Sequence, residues 1–295
     1  MRGNVLVTGA LGQLGTELRM MHNTLEGYRF FFTDADMLDI TDEQAVISFV
    51  ADNHINIIVN CAAYTNVDKA EDDFERADLI NNRGVANLAS AAVQAGASLV
   101  HISTDYVFGG EGNIPYTEQM PVAPLGVYGV TKLSGENAIK SVMGEDGDFV
   151  ILRTAWLYSP YGNNFMKTML RLTAERDNIN VVFDQVGTPT YAADLAQVIL
   201  EIVRRKAAGL GTELQGTYHF SNEGVCSWYD FALEIAKLSG HKNCRISPCH
   251  SDEFPSKVKR PSYSVLDKTK IKQTLGIEIP HWKESLAKCI ERVKL

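Results

Sequence analysis

The sequence predicts an α/β protein built on a doubly wound parallel sheet, with a smaller lobe toward the C-terminus. Three observations carry that prediction. Short Val- and Ile-rich runs without polar alternation recur through the first half, as strands buried on both faces do. Helix-period segments separate them, and right-handed crossovers through such helices make the sheet parallel. A glycine-spaced turn joins the first strand to the first helix, where sheets of this kind bind phosphate.

In chain order, strands are expected at 5–8, 29–33, 56–61, 98–103 and 149–152, alternating with helices at 13–22, 43–53, 74–95 and 128–142. The second half is less regular. Helical patterns at 164–175, 195–206, 228–239 and 282–293 mix with short strands near 181–183 and 217–220, and 237–261 reads as loop-rich. The expected division is 1–155, mainly dinucleotide-binding, and 156–295, mainly a substrate-binding lobe with some segments returning to the sheet.

Composition narrows the class. The chain has 295 residues, 45% of them apolar and 22% charged, close to the globular average and unlike a disordered or fibrous chain. Its net charge of −8 argues against nucleic acid and against anionic membranes as partners. No apolar run reaches the ~18 residues of a membrane span. The N-terminus reads as a first strand, since a signal peptide needs a longer apolar stretch. The five cysteines (Cys61, Cys226, Cys244, Cys249, Cys289) lack a paired pattern, which suits reduced thiols and a cytoplasmic location. His241, Cys244, Cys249 and His250 cluster, but their spacing fits no standard zinc site, and no metal is expected.

The turn carries Gly9, Leu11, Gly12, Gln13, Leu14 and Gly15 in a GxxGxxG pattern. The first glycine permits the tight turn and the second a close backbone approach to pyrophosphate. The third lets helix and strand pack, and the unpaired N–H groups at the helix start face the anion. This is the Rossmann arrangement, and it predicts NADPH or NADH. Asp34, at the end of the second strand, is placed to accept from the adenosine ribose hydroxyls. Its charge would repel a 2′-phosphate, so NADH should be tolerated.

Tyr128 and Lys132 stand one helical turn apart on one face. With eleven tyrosines a YxxxK match has an appreciable chance frequency, so its place after the fourth strand is what makes it informative. Hydride transfer to a carbonyl leaves charge on oxygen that needs a proton. A phenol is a sluggish acid near neutrality unless a cation such as Lys132 lowers its pKa. The Thr104 hydroxyl would orient the carbonyl and share the oxyanion.

With these motifs, the sequence resembles the extended short-chain dehydrogenase/reductase family, and within it the nucleotide-sugar reductases. The resemblance covers nearly the whole chain. Beyond the glycine loop and YxxxK it rests on the more specific stretches VDKAE (67–71), STDYVF (103–108) and GNNF (162–165). It implies NAD(P)H-dependent reduction of the C4 ketone of dTDP-4-dehydro-β-L-rhamnose, with Tyr128 as proton donor and Thr104 and Lys132 beside it. It further implies that Ala62, Ala63 and Tyr64 line the cofactor and that Asp39 and Ile40 flank the adenine. Asp105 and Trp156 would touch the substrate, and Arg260 its diphosphate. Some relatives are held as dimers through magnesium. Glu17 and Asp194 occupy similar positions but suit exposed helix faces, so a monomer or homodimer without metal is expected. Cys61 and Ala155 are small departures from the pattern.

Two alternatives remain open. One is another nucleotide-sugar reductase or an epimerase on the same scaffold. A dehydratase would need Asp-Glu after the threonine, where this chain has Asp105-Tyr106, and epimerases usually carry serine at the Thr104 position. The other is a non-catalytic regulatory subunit resembling the methionine adenosyltransferase beta subunit.

Overall fold

Along the chain, the principal strands are β1 (Gly3–Thr8), β2 (Tyr28–Phe32), β3 (Ile57–Asn60), β4 (Ser98–Thr104), β5 (Phe149–Thr154), β6 (Asn178–Val182), β7 (Gly216–His219) and β8 (Arg245–Cys249). This computed structural model describes residues 3–144, 146–209, 214–254 and 256–293. Six strands form one parallel sheet in the order β7-β5-β4-β3-β1-β2. The chain reverses its direction of winding between β2 and β3, so a crevice opens beyond the C-terminal ends of β1 and β3, where ligands of open α/β sheets bind.

Both faces of the sheet are covered, which is why its strands lack polar alternation. Val5 and Val7 of β1 point to one side and Leu6 to the other, and all three are fully buried. On the first side lie α1 (Gln13–Met21), α8 (Ala192–Ala207) and α10 (Thr269–Leu275). On the second lie α2 (Glu43–Asp52), α5 (Gly84–Ala95) and α6 (Val127–Met143). A further core joins α7 (Phe165–Glu175), α9 (Trp228–Leu238) and α11 (Trp282–Arg292) to β6, which pairs with β8 outside the main sheet. A late segment joins the sheet: β7 extends it beyond β5.

Several boundaries differ from expectation for physical reasons. The helix expected at 74–95 is three pieces: α4 (Phe74–Asp78), a π-helical turn at Leu79–Arg83, and α5. Inside the π turn, Asn81 is fully buried and bonds the backbone of Tyr64 on both sides, so tertiary contacts hold the wider turn. A short α3 (Val67–Ala70), capped by Asn66, was not anticipated. Nor was β8 in the loop-rich stretch, where Pro248 disguises a strand that serves only one neighbour. Glu17 and Asp194 do not lie on exposed faces. Glu17 is fully buried against Arg292 (2.9 and 3.0 Å), and Asp194 accepts from Ser285 (2.5 Å) and Asn222 (2.6 Å). Of the cysteine–histidine cluster, His241 is bonded to Thr173 (2.8 Å). Among the described residues no helix is long and apolar enough to cross a membrane.

Candidate active site

The turn after β1 is built around glycine. Gly9 has φ +63°, and a Cβ there would come within 2.6 Å of Ala62 N; a Cβ at Gly15 would come within 2.4 Å of Gly9 O. The first position requires left-handed backbone and the other requires helix α1 to press against the turn. At Gly12, by contrast, a Cβ would meet only Gly9 O, at 3.3 Å, so its outer side is open. The first-turn N–H groups of α1 have no intrahelical acceptor and open onto this space. The cradle fits a dinucleotide pyrophosphate.

A cleft of about 970 Å³ runs from this cradle along the sheet's C-terminal edge. Gly9, Gly12, Gln13, Leu14 and Gly15 form one end, with Asp34, Asp39 and Ile40 beside them. Ala62 and Ala63 line the middle, and Thr104, Asp105, Tyr128, Lys132, Trp156 and Arg260 the far end. Two expected residues are not in the wall. Leu11 points outward, 66% exposed, while its N–H donates to Asp34 Oδ2 (2.9 Å). Tyr64 is turned aside because its hydroxyl donates to Asp73 Oδ2 (3.1 Å).

Helix α6 sets the reacting end. Tyr128, Lys132 and Glu136 follow one another at four-residue spacing, so they share a face toward β4 and β5. Glu136 is fully buried and accepts from Ser103 Oγ (2.6 Å), Arg153 Nε (2.9 Å) and Arg153 Nη2 (2.7 Å). That ion pair fixes the helix against the strand ends, and thereby the register of Tyr128 with Thr104. The Thr104 hydroxyl donates to Asp105 Oδ1 (2.9 Å) and accepts from Tyr106 N–H (3.2 Å). Asp105 is 3% exposed, and burial pushes its carboxyl up to about 7.

The electrostatics depart from expectation at one point. Burial pushes the Tyr128 phenol above its ordinary value, offset in part by the Thr104 hydroxyl. The Lys132 amine is turned to the Ile102 carbonyl (2.7 Å) and the His101 ring (3.3 Å). Burial brings Lys132 itself down to about 8.

On the substrate side, Trp156 has φ +49°, an uncommon conformation for a bulky residue. Its indole stacks on Trp228 at 3.6 Å between centroids and 8° between planes. Arg260 is paired with Asp68 (2.9 Å), so the VDKAE stretch supplies the partner of a distant cation. The sequence reading missed Trp228, Thr65, Arg76 and Asn163 in the wall. GNNF marked the last of these without assigning it a place, and nothing local marks Trp228.

A family model, the RmlD substrate binding domain, matches residues 1–295. The chain is 40% identical to a dTDP-4-dehydrorhamnose reductase from Aggregatibacter actinomycetemcomitans, over 96% of each chain. A crystal structure of such a reductase from Clostridium acetobutylicum superposes with a TM-score of 0.92 at 44% identity, covering 99% of this chain and 100% of that one. Another, from Bacillus anthracis in complex with NADP, gives a TM-score of 0.92 at 40% identity, with 99% of each chain covered.

Proposed function

The chain belongs to the RmlD substrate binding domain family, and on that premise we propose that it reduces the C4 ketone of dTDP-4-dehydro-β-L-rhamnose to dTDP-β-L-rhamnose with NAD(P)H. It is an oxidoreductase of nucleotide-sugar synthesis for cell-surface polysaccharide. The observation that carries this reading is the single cleft joining a pyrophosphate cradle at 9–15 to Thr104, Tyr128 and Lys132. When bound, the reduced nicotinamide supplies the hydride.

The chain's own residues do the rest. Gly9, Gly12 and the start of α1 hold the pyrophosphate, and Asp34 accepts from the adenosine ribose. Thr104 orients the ketone oxygen. Tyr128 Oη gives its proton to that oxygen as charge develops and takes one back from water. A phenol whose pKa is raised arrives protonated, as a donor must. Trp156 packs against the sugar, Asp105 bonds its hydroxyls, and Arg260 meets the diphosphate. The cytoplasm is the proposed location, in keeping with the five free cysteines.

Purified protein with NADPH and dTDP-4-dehydrorhamnose tests the assignment. The expected result is loss of NADPH absorbance that depends on the sugar nucleotide. Tyr128→Phe should slow turnover by roughly 10²–10⁴-fold while cofactor affinity stays nearly unchanged. Cofactor binding without any turnover would overturn the enzymatic reading and favour a regulatory subunit.

A further inference from the structure

The first turn of α6, which carries Tyr128, is gripped from two sides by residues to which the mechanism above gives no part. On one side stands the 3₁₀ turn Asp105–Val107, directly after β4. The Tyr106 ring meets the Tyr128 ring edge to face, with 5.5 Å between centroids and 75° between planes. Its backbone carbonyl lies against Gly129, where a Cβ would come within 2.3 Å of Tyr106 O. Side chain and backbone of one residue therefore both rest on the turn that holds the proton donor. On the other side Glu71, which closes α3, accepts from Val127 N–H (2.8 Å).

Arg260 joins the two grips. Its Nη2 donates to Asp68 Oδ2 (2.9 Å) on α3, and the Tyr106 hydroxyl is turned to the same guanidinium. Burial pushes the Tyr106 phenol up to about 12, and the Arg260 charge acts against that rise. The loop that carries Arg260 is itself pinned to the segment after Tyr106. Gly110 O accepts there from Ser262 Oγ (2.9 Å) and from Tyr263 N–H (3.0 Å). A Cβ at Gly110 would come within 2.5 Å of Pro261, so the two segments lie in close contact. Tyr106, Arg260 and Tyr128 all line the cleft.

An arginine held by one aspartate is drawn to a second anion. A diphosphate carries more charge than one carboxylate, and its oxygens suit the same planar fork. A guanidinium that turns toward it carries the partner of the Tyr106 hydroxyl along. The ring then moves only against Tyr128, because its backbone is fixed on Gly129.

We propose that Tyr106 is a positioning residue: held by Arg260 and edge-on to Tyr128, it transmits the seating of the diphosphate to the phenol that gives up the proton. The inference rests on the reductive reading above and deepens it. A substrate group remote from the ketone thereby sets the reacting geometry, as binding energy away from the chemistry is used to orient the reacting centre. The donor is aligned only when a nucleoside diphosphate is in place.

Turnover and NMR test this together. Tyr106→Phe keeps the ring on Tyr128 and removes only the hydroxyl at Arg260. With NADPH and dTDP-4-dehydrorhamnose its kcat should fall roughly tenfold, the scale of a small misplacement of a reacting group, while KM changes less than about twofold. A role in packing alone would leave kcat where it is, because the ring is kept. The NMR arm labels the eleven tyrosines with ¹³C at Cζ and assigns Tyr128 by the resonance missing in Tyr128→Phe. Adding dTDP to the NADP complex should move that resonance in wild type. Saturating dTDP should leave it in place in Tyr106→Phe, and thymidine should leave it in place in both. Equal movement in wild type and variant, no movement in wild type, movement with thymidine, or an unchanged kcat in Tyr106→Phe would overturn the proposal. Movement in wild type without any turnover would overturn the reductase reading and leave this one standing.

Discussion

Asp34 shows how one carboxylate can serve two partners. Its Oδ2 accepts from Leu11 N–H and its Oδ1 from Ala35 N–H, so it braces the glycine turn from the end of β2 as well as facing the cleft. The two functions separate by substitution. Asp34→Asn keeps an acceptor for Leu11 and removes the charge, so NADPH should gain on NADH in relative affinity. Asp34→Ala also releases the turn, and a lost hydrogen bond to a charged group, about 1.5–3 kcal/mol, should weaken both cofactors roughly tenfold or more. Binding titrations of both cofactors check this, and equal affinities in wild type and Asp34→Asn would remove the ribose contact. The expectation at Asp34 came from its distance along the chain after the glycines. The brace to Leu11 was hidden, because a backbone N–H has no sequence signature. The same limit explains Tyr64. Its neighbours Ala62 and Ala63 line the cleft, but a hydroxyl with a better partner in Asp73 turns its side chain away. The trio Thr104, Tyr128 and Lys132 was legible because helix spacing and a strand end place it locally. The direction in which Lys132 points was not, since it depends on His101 and Ile102 across the sheet.

At the scale of elements, the first turn of α1 acts on both sides of the cleft. Gln13 Oε1 accepts from Ser159 Oγ (3.1 Å) and from Asn164 Nδ2 (2.9 Å), and Asn164 also caps α7 through Lys167 N–H (3.0 Å). The cradle for the pyrophosphate is thereby tied to the start of a helix in the other core. Gln13→Ala removes these two neutral hydrogen bonds and the long one from Nε2 to the Leu157 carbonyl (3.5 Å), worth about 1 kcal/mol each. Thermal unfolding should shift by only a few degrees, whereas KM for the sugar nucleotide should rise several-fold because α7 loses its register with the turn. A variant with unchanged KM would make the contact structural only. Asn164 belongs to the GNNF stretch, which marked the segment in sequence without showing what it touches. Elements themselves were readable wherever periodicity was uninterrupted. The strands of the sheet announce themselves through burial on both faces, and α6 through a continuous helical pattern. The π turn at Leu79–Arg83 was invisible because one extra residue per turn barely disturbs a hydrophobic period, and its cause, Asn81 bonded to Tyr64, is tertiary.

At the scale of the molecule, the last helix is fastened to the sheet layer through buried charge. Glu17 on α1 takes a two-point contact from Arg292 near the end of α11, and Arg292 also reaches the hydroxyls of Tyr161 and Tyr191. Asp194 on α8 holds the same helix through Ser285. Glu17 has no exposed surface and Arg292 is 37% exposed, so removing the cation leaves a buried carboxylate without its partner. Such losses reach 3–5 kcal/mol when both groups are buried; partial exposure of the arginine reduces this to about 2–3 kcal/mol for Arg292→Ala. The pH dependence has a definite sign. Burial raises Glu17 above its ordinary value of 4.5, and Arg292 acts to lower it. A carboxyl whose folded pKa is raised binds its proton more tightly in the folded state. Its contribution to stability is therefore full below 4.5 and is lost as pH rises through the folded value. Without Arg292 the folded value rises further and the loss at neutral pH grows. Denaturant unfolding of both proteins should therefore show a deficit in Arg292→Ala that is largest near neutrality and narrows as pH falls toward 4.5. A deficit independent of pH would mean that the helix is held by the packing of Trp282 and Leu286, with the ion pair contributing little.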